Sequence, residues 1–124
     1  MRYVAVLVLA VLTLAGMTAC AEDTPTATTL DAGGATVLDV RTPAEYAEGH
    51  LEGAVNIDVQ DEAGFAASLE DIDPLATYIV YCRTGNRSAT AIALMAERGF
   101  ENLTNAGGLQ EAADATGLPV VTEY

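Results

Sequence analysis

Short aliphatic and β-branched runs alternate along this chain with segments whose apolar positions recur three or four residues apart, and the order of the two patterns predicts the fold. Thr36-Val37-Leu38-Asp39-Val40 is fit for a buried strand. Pro43 to Glu48 follows as a helix, with proline at a first helical position behind Thr42 and a stop at Gly49. Ala54-Val55-Asn56-Ile57 reads as a second short strand, and Glu62 to Leu69 as a helix with Phe65 and Leu69 on one face, broken by Asp73-Pro74. Tyr78 to Tyr81 is the central strand, Ser88 to Arg98 the best helix, and Leu103-Thr104 a last short strand before Gly107-Gly108. Leu109 to Thr116 is a terminal helix stopped by Gly117 and Pro119. This order predicts an α/β fold in three layers: a mostly parallel central sheet, helices on both faces, and binding loops at the C-terminal ends of the strands.

The first twenty residues follow another plan. Met1-Arg2-Tyr3 is a minimal positive region, Val4 to Leu14 an apolar stretch too short to span a bilayer comfortably, and Ala15-Gly16-Met17-Thr18-Ala19 a set of mostly small residues before Cys20. The segment resembles the lipobox of bacterial lipoproteins, departing from it in Met17, where Leu is commonest, and in a positive region of one Arg and no Lys. It implies a signal over residues 1–19, a lipidated Cys20, a tether over 20–35 and a folded domain over 36–124. Ala21 to Thr29 is polar, with a proline and no apolar periodicity, as a tether should be. Simple cleavage nearby, releasing a free secreted domain, is the alternative. The remainder suffices for one domain with one core.

Charge narrows the partners. The chain carries a formal −13, and loss of Arg2 with the signal would leave four arginines against 18 acids, or −14. Such an excess repels phosphate backbones and anionic headgroups, which argues against nucleic acid and against membrane contact other than through a lipid anchor. Two of the four arginines, Arg83 and Arg87, fall in one short loop.

That loop is Cys82-Arg83-Thr84-Gly85-Asn86-Arg87-Ser88, running from the central strand into the best helix. A cysteine delivered there meets converging backbone N–H groups, two guanidiniums and a helix N-terminus, all of which favour a thiolate and attract an anionic substrate. The bland alternative is a small buried cysteine before an ordinary turn. No His, Cys and carboxylate cluster has metal-ligand spacing, and no cofactor is called for.

Four blocks in order carry a family resemblance: Leu38-Asp39-Val40-Arg41-Thr42-Pro43-Ala44-Glu45-Tyr46, Gly49-His50-Leu51-Glu52-Gly53-Ala54-Val55-Asn56-Ile57, Tyr81 to Ala89, and Gly107-Gly108 with Gly117-Leu118-Pro119-Val120. Over about residues 36 to 121 the chain resembles the rhodanese-like domain, and among its members the small single-domain extracytoplasmic rhodaneses of the phage-shock type. The resemblance implies a sulfurtransferase in which Cys82 takes a sulfane sulfur from thiosulfate or a persulfide and passes it to cyanide or a thiol. Arg83 and Arg87 would neutralise the donor, Thr84 and Asn86 would belong to the binding loop, and Gly85 would allow close backbone approach.

Ser88 reads as a helix cap before a sulfur ligand, and Asp39 with Arg41 as a structural pair that ties loops together. His50 stands in a Gly-flanked turn, and transfer through an already ionised thiol needs no base. Two rivals remain. Phosphatases of this fold use Cys-x5-Arg, whereas Cys82 to Arg87 is Cys-x4-Arg and Ser88 stands at the phosphatase arginine's position, which leaves a phosphatase or arsenate reductase as the minor rival. A binding or sulfide-sensing module without turnover is the other. The chain departs from its relatives in the short stretch before Thr36, which would leave one sheet edge shortened or open, and in lacking an aromatic after Gly107-Gly108.

Overall fold

The computed structural model describes residues 29–122, so the signal, Cys20 and most of the expected tether lie outside the described residues. A single 3-10 turn, Ala32–Gly34, leads into β1 (Thr36–Asp39), α1 (Pro43–Glu48), β2 (His50–Leu51), β3 (Val55–Asn56), α2 (Glu62–Glu70), β4 (Thr77–Cys82), α3 (Asn86–Glu97), β5 (Asn102–Gly108), α4 (Leu109–Thr116) and β6 (Val120–Val121). Four strands form one parallel sheet in the order β3-β1-β4-β5, and β2 pairs with β6 in a small antiparallel ribbon. The α/β fold is the expected one.

Period-two alternation in β1 and β4 sorts the core into two faces. Leu38, Val40, Tyr78, Val80 and Cys82 point toward α2 and α3, where they meet Phe65, Leu69, Ala91 and Met95. Val37, Ile79 and Tyr81 point the other way, toward Tyr46 of α1 and Ala112 of α4. The packing reaches back before β1: the Leu30 amide donates to Ala115 O at 2.8 Å, and its side chain joins the second face.

Three elements differ from the sequence pattern. The β2–β6 ribbon was not expected, because two residues per strand carry no readable alternation; it moves His50 from a turn into a strand paired with Val121. Helix α3 begins at Asn86 rather than Ser88, since Gly85 turns the chain in the left-handed region at φ 97° and the helix follows at once. Strand β5 runs well past Leu103-Thr104, because pairing with β4 carries Asn105 and both glycines despite their poor strand preference. A bulge between Val80 and Tyr81 shifts that pairing, so that Val80 faces Asn105 but Cys82 faces Gly108. The two-residue β3 and β5 are the sheet edges.

Candidate active site

Alternation in β4 turns Cys82 toward α3, and the left-handed Gly85 folds the following loop back over the sulfur. Cys82 Sγ accepts the Gly85 N–H at 2.9 Å and lies 3.5 Å from Ser88 Oγ, with the whole residue buried. Gly108 lets the loop close, since a side chain there would collide with the Arg83 carbonyl.

Burial pushes the Cys82 thiol up, but the Ser88 hydroxyl and the N–H groups of Ser88, Thr84 and Gly85 outweigh it, and the thiol lies below its ordinary value. Ser88 is therefore not the cap of α3. It sits inside the first turn, and its one proton serves Asn105 Oδ1 at 2.7 Å or Gly85 O at 2.9 Å until Cys82 ionises and it can turn to the sulfur.

The arginines depart further from expectation. Arg87 does not offer a free guanidinium: its two terminal nitrogens grip Glu45 Oε1 and Oε2 at 2.6 and 2.8 Å. The Arg87 contact first, helped by the Thr42 backbone and hydroxyl, holds Glu45 down at about 2, against the cost of its partial burial. Arg83 is exposed and has no ion pair among the described residues. Thr84 and Asn86 are exposed too, so the loop reaches the sulfur through its backbone more than through these side chains.

Two residues of the site escaped sequence reasoning. Asn105 locks the loop to β5: its amide donates to Gly85 O at 3.1 Å, and its carbonyl accepts from Gly107 N at 2.9 Å as well as from Ser88. Glu45 was legible only as the fourth residue of a Thr-x-x-Glu capping box, which does form with Thr42; its pairing with Arg87 spans 42 positions and has no local signal.

Asp39 and Arg41 lie apart from the sulfur, on the opposite face. Arg41 reaches Asp39 Oδ2 at 2.6 Å and Gly49 O at 2.6 Å, and the Tyr81 hydroxyl donates to the same Oδ2 at 2.8 Å while accepting from Leu51 N at 3.0 Å. The Arg41 guanidinium also stands 5.6 Å from the centre of the Tyr81 ring. This network ties the end of β1 to β2 and β4. His50 stacks on Tyr46 with ring centres 3.6 Å apart and contacts Tyr46 O through Nδ1.

Beside the loop lies a cleft of about 300 Å³ lined by Arg41, Glu45, Glu48, Gly49, Arg83, Leu109 and Val120. A larger hollow of about 450 Å³, between Leu30, β5 and α4, holds no cysteine, arginine or histidine and offers no comparable chemistry. Among the described residues no group of three His, Cys, Asp or Glu side chains is arranged to hold a metal, and no helix is long and apolar enough to cross a membrane.

The chain is thus a parallel α/β domain that carries a buried thiol into a ring of backbone donors. The chain matches the rhodanese-like domain over residues 26–115. It is 35% identical over 77 residues to thiosulfate sulfurtransferase PspE of Escherichia coli (strain K12), covering 61% of this chain and 72% of that protein. With thiosulfate sulfurtransferase GlpE of Pseudomonas entomophila (strain L48) it shares 39% identity over 79 residues, or 64% of this chain and 70% of the relative. Among solved structures, a rhodanese with anions from E. coli superposes with a TM-score of 0.56 at 30% identity, covering 72% of this chain and 99% of that one. A rhodanese-related protein from Thermoplasma volcanium gives 0.61 at 31% identity over 73% and 87%. The chain belongs to the rhodanese-like domain family and is a rhodanese-like sulfurtransferase by its relatives.

Proposed function

We propose that this protein moves a sulfane sulfur from thiosulfate or a persulfide to cyanide or a thiol through a persulfide on Cys82. The observation that carries the reading is the buried Cys82 Sγ accepting the Gly85 N–H at 2.9 Å, in a loop whose hydrogen bonds outweigh burial and lower the thiol's pKa. The thiolate attacks the outer sulfur of the donor, the donor's sulfur–sulfur bond breaks, and sulfite or a thiolate leaves with the bonding pair. The acceptor then attacks the outer sulfur of the persulfide and returns Cys82 as thiolate, so no external oxidant is consumed. The N–H groups of Thr84, Gly85 and Ser88 receive the negative charge in both states. The exposed Arg83, unpaired among the described residues, would meet the incoming anion, while Arg87 is held by Glu45 and Asn86 starts α3.

Mass spectrometry after thiosulfate treatment should show one added sulfur atom at Cys82, removed by cyanide and absent in Cys82→Ser. A folded wild-type domain that never gains that sulfur, or gains it and cannot pass it on, would favour the second reading, a binding or sensing module, which the complete burial of Cys82 supports. Phosphatase or arsenate reductase chemistry has less support, since buried Ser88 stands at the arginine position and Arg87 is already paired.

The same proposal extends to place. Cleavage before Cys20 would leave a lipidated, extracytoplasmic protein on a bacterial membrane, with the expected spacer over 20–35 cut short where Leu30, Ala32 and Ala35 already pack on the domain; the support is the sequence of residues 1–20. Wild-type protein recovered unlipidated in the soluble fraction would count against it.

A further inference from the structure

We infer that Asn105 is a positioning residue for the Cys82 thiolate: by filling the Gly85 carbonyl and taking the Ser88 hydroxyl proton itself, it keeps that proton free to turn to the sulfur. The inference deepens the sulfurtransferase reading, on which its catalytic meaning rests, and places control of the nucleophile on β5, outside the Cys82-to-Ser88 loop.

A serine in the first turn of a helix ordinarily donates to the carbonyl three or four residues back. For Ser88 that acceptor is Gly85 O, 2.9 Å away. The same oxygen also receives the Ala89 N–H at 3.1 Å and the Asn105 amide at 3.1 Å, so three donors converge on an atom with two lone pairs. The Ala89 N–H closes the first turn of α3, and among the described residues the Asn105 amide reaches no other acceptor. Ser88 is the donor with somewhere else to go. Asn105 Oδ1 takes it at 2.7 Å, the shortest contact that the hydroxyl makes.

Asn105 cannot turn over to offer its nitrogen instead. Its Oδ1 accepts from Gly107 N at 2.9 Å while its Nδ2 donates to Gly85 O, and these two backbone groups of opposite polarity fix the amide.

The Ser88 proton therefore has two stations, Asn105 Oδ1 and the sulfur 3.5 Å away. It stays on Asn105 while Cys82 is a neutral thiol. Once Cys82 ionises, the charged sulfur is the stronger acceptor. Asn105 releases the proton at small cost, because Oδ1 keeps the Gly107 N–H and water can reach the other lone pair of this exposed residue. Without Asn105 the half-buried Gly85 O would claim the proton, and turning Ser88 to the sulfur would strip that carbonyl of a donor.

Alkylation of Cys82 against pH is measured in wild type, Asn105→Ala, Ser88→Ala and the double variant, with Asn105→Leu, of similar volume, replacing the alanine if that protein does not fold. The charged groups about the loop, Arg83 and Arg87 with Glu45 and Asp58 acting on Arg87, are the same in every variant. Asn105→Ala should move the profile to higher pH and slow alkylation near pH 7 roughly fivefold, and in the Ser88→Ala background it should change the rate by less than about twofold. Sulfur loading from thiosulfate should slow in step. The same slowing in both backgrounds would make Asn105 a brace of the loop with no hold on the proton and would overturn the inference, as would an unchanged profile in Asn105→Ala. If alkylation follows the expected cycle but thiosulfate never loads the wild type, the sulfurtransferase reading falls while the role of Asn105 in setting the thiolate stands.

Discussion

Asp39 and Cys82 stand at the ends of adjacent strands, both fully buried, and the protein surrounds them in opposite ways. The Asp39 carboxylate has a full positive charge on it from Arg41, together with the Tyr81 hydroxyl and the Arg41 backbone N–H. Cys82 has neutral donors only, while the nearby Arg87 is held by Glu45. A carboxylate with all its lone pairs engaged can only hold structure together. A sulfur supported by dipoles and no contact cation can ionise and still keep an electron pair free to attack. The two arginine pairs differ in the same sense. The Arg41–Asp39 side chains are 7% and 0% exposed, those of Arg87–Glu45 22% and 19%, so the first is fixed in the core and the second stands at a solvent-facing rim.

The largest effect that would test this contrast is on stability. Arg41→Ala leaves the Asp39 carboxylate buried with no cation, and the domain should lose about 3–5 kcal/mol in urea unfolding. Arg87→Ala leaves Glu45 next to water, where the loss should not exceed ~1 kcal/mol. Equal losses in the two variants would erase the distinction between core and rim.

How much of this was legible in the sequence follows from the range of each interaction. Strand alternation around Val80, Tyr81 and Cys82 assigned the faces, and the Cys82-to-Ser88 run located the thiol and the loop of backbone donors around it, because both signals are local. Asp39 and Arg41 are two residues apart, so their pairing was readable too. Glu45 with Arg87 and Ser88 with Asn105 join distant segments, and nothing near either partner announces the other. The role of Ser88 was misassigned for a different reason: the left-handed Gly85 starts α3 two residues early and moves Ser88 from the cap into the sulfur's surroundings. The β2–β6 ribbon was hidden because its strands are too short for any period.

A smaller effect would sharpen the account of the thiol. If neutral donors do the work that a cation does for Asp39, Ser88→Ala should move the alkylation profile of Cys82 to higher pH and slow alkylation near pH 7 about tenfold, the equivalent of ~1.4 kcal/mol for one hydrogen bond to a charged atom. Arg87→Ala should move the profile less, since Glu45 already balances that charge. A larger shift in Arg87→Ala than in Ser88→Ala would return the cation to the central role and remove the contrast with Asp39.

The smallest expected effect concerns the rim pair under acid. Glu45 is held at about 2, down from an ordinary 4.5, first by its hydrogen bond to Arg87. Because the folded form binds its proton less readily than the unfolded form, the stabilisation is fully present above about pH 4.5 and is lost as the pH falls toward 2. Exposure on one side of the pair keeps the amount to at most ~1 kcal/mol. Urea midpoints measured from pH 6 to pH 2 in wild type and Glu45→Gln should therefore differ at the upper end and converge at the lower, with the change confined to that window. Glutamine keeps the cap to Thr42, so a gap that persisted unchanged at pH 2 would come from lost packing or capping, not from the ion pair, and the rim would then resemble the core pair more closely than its exposure implies.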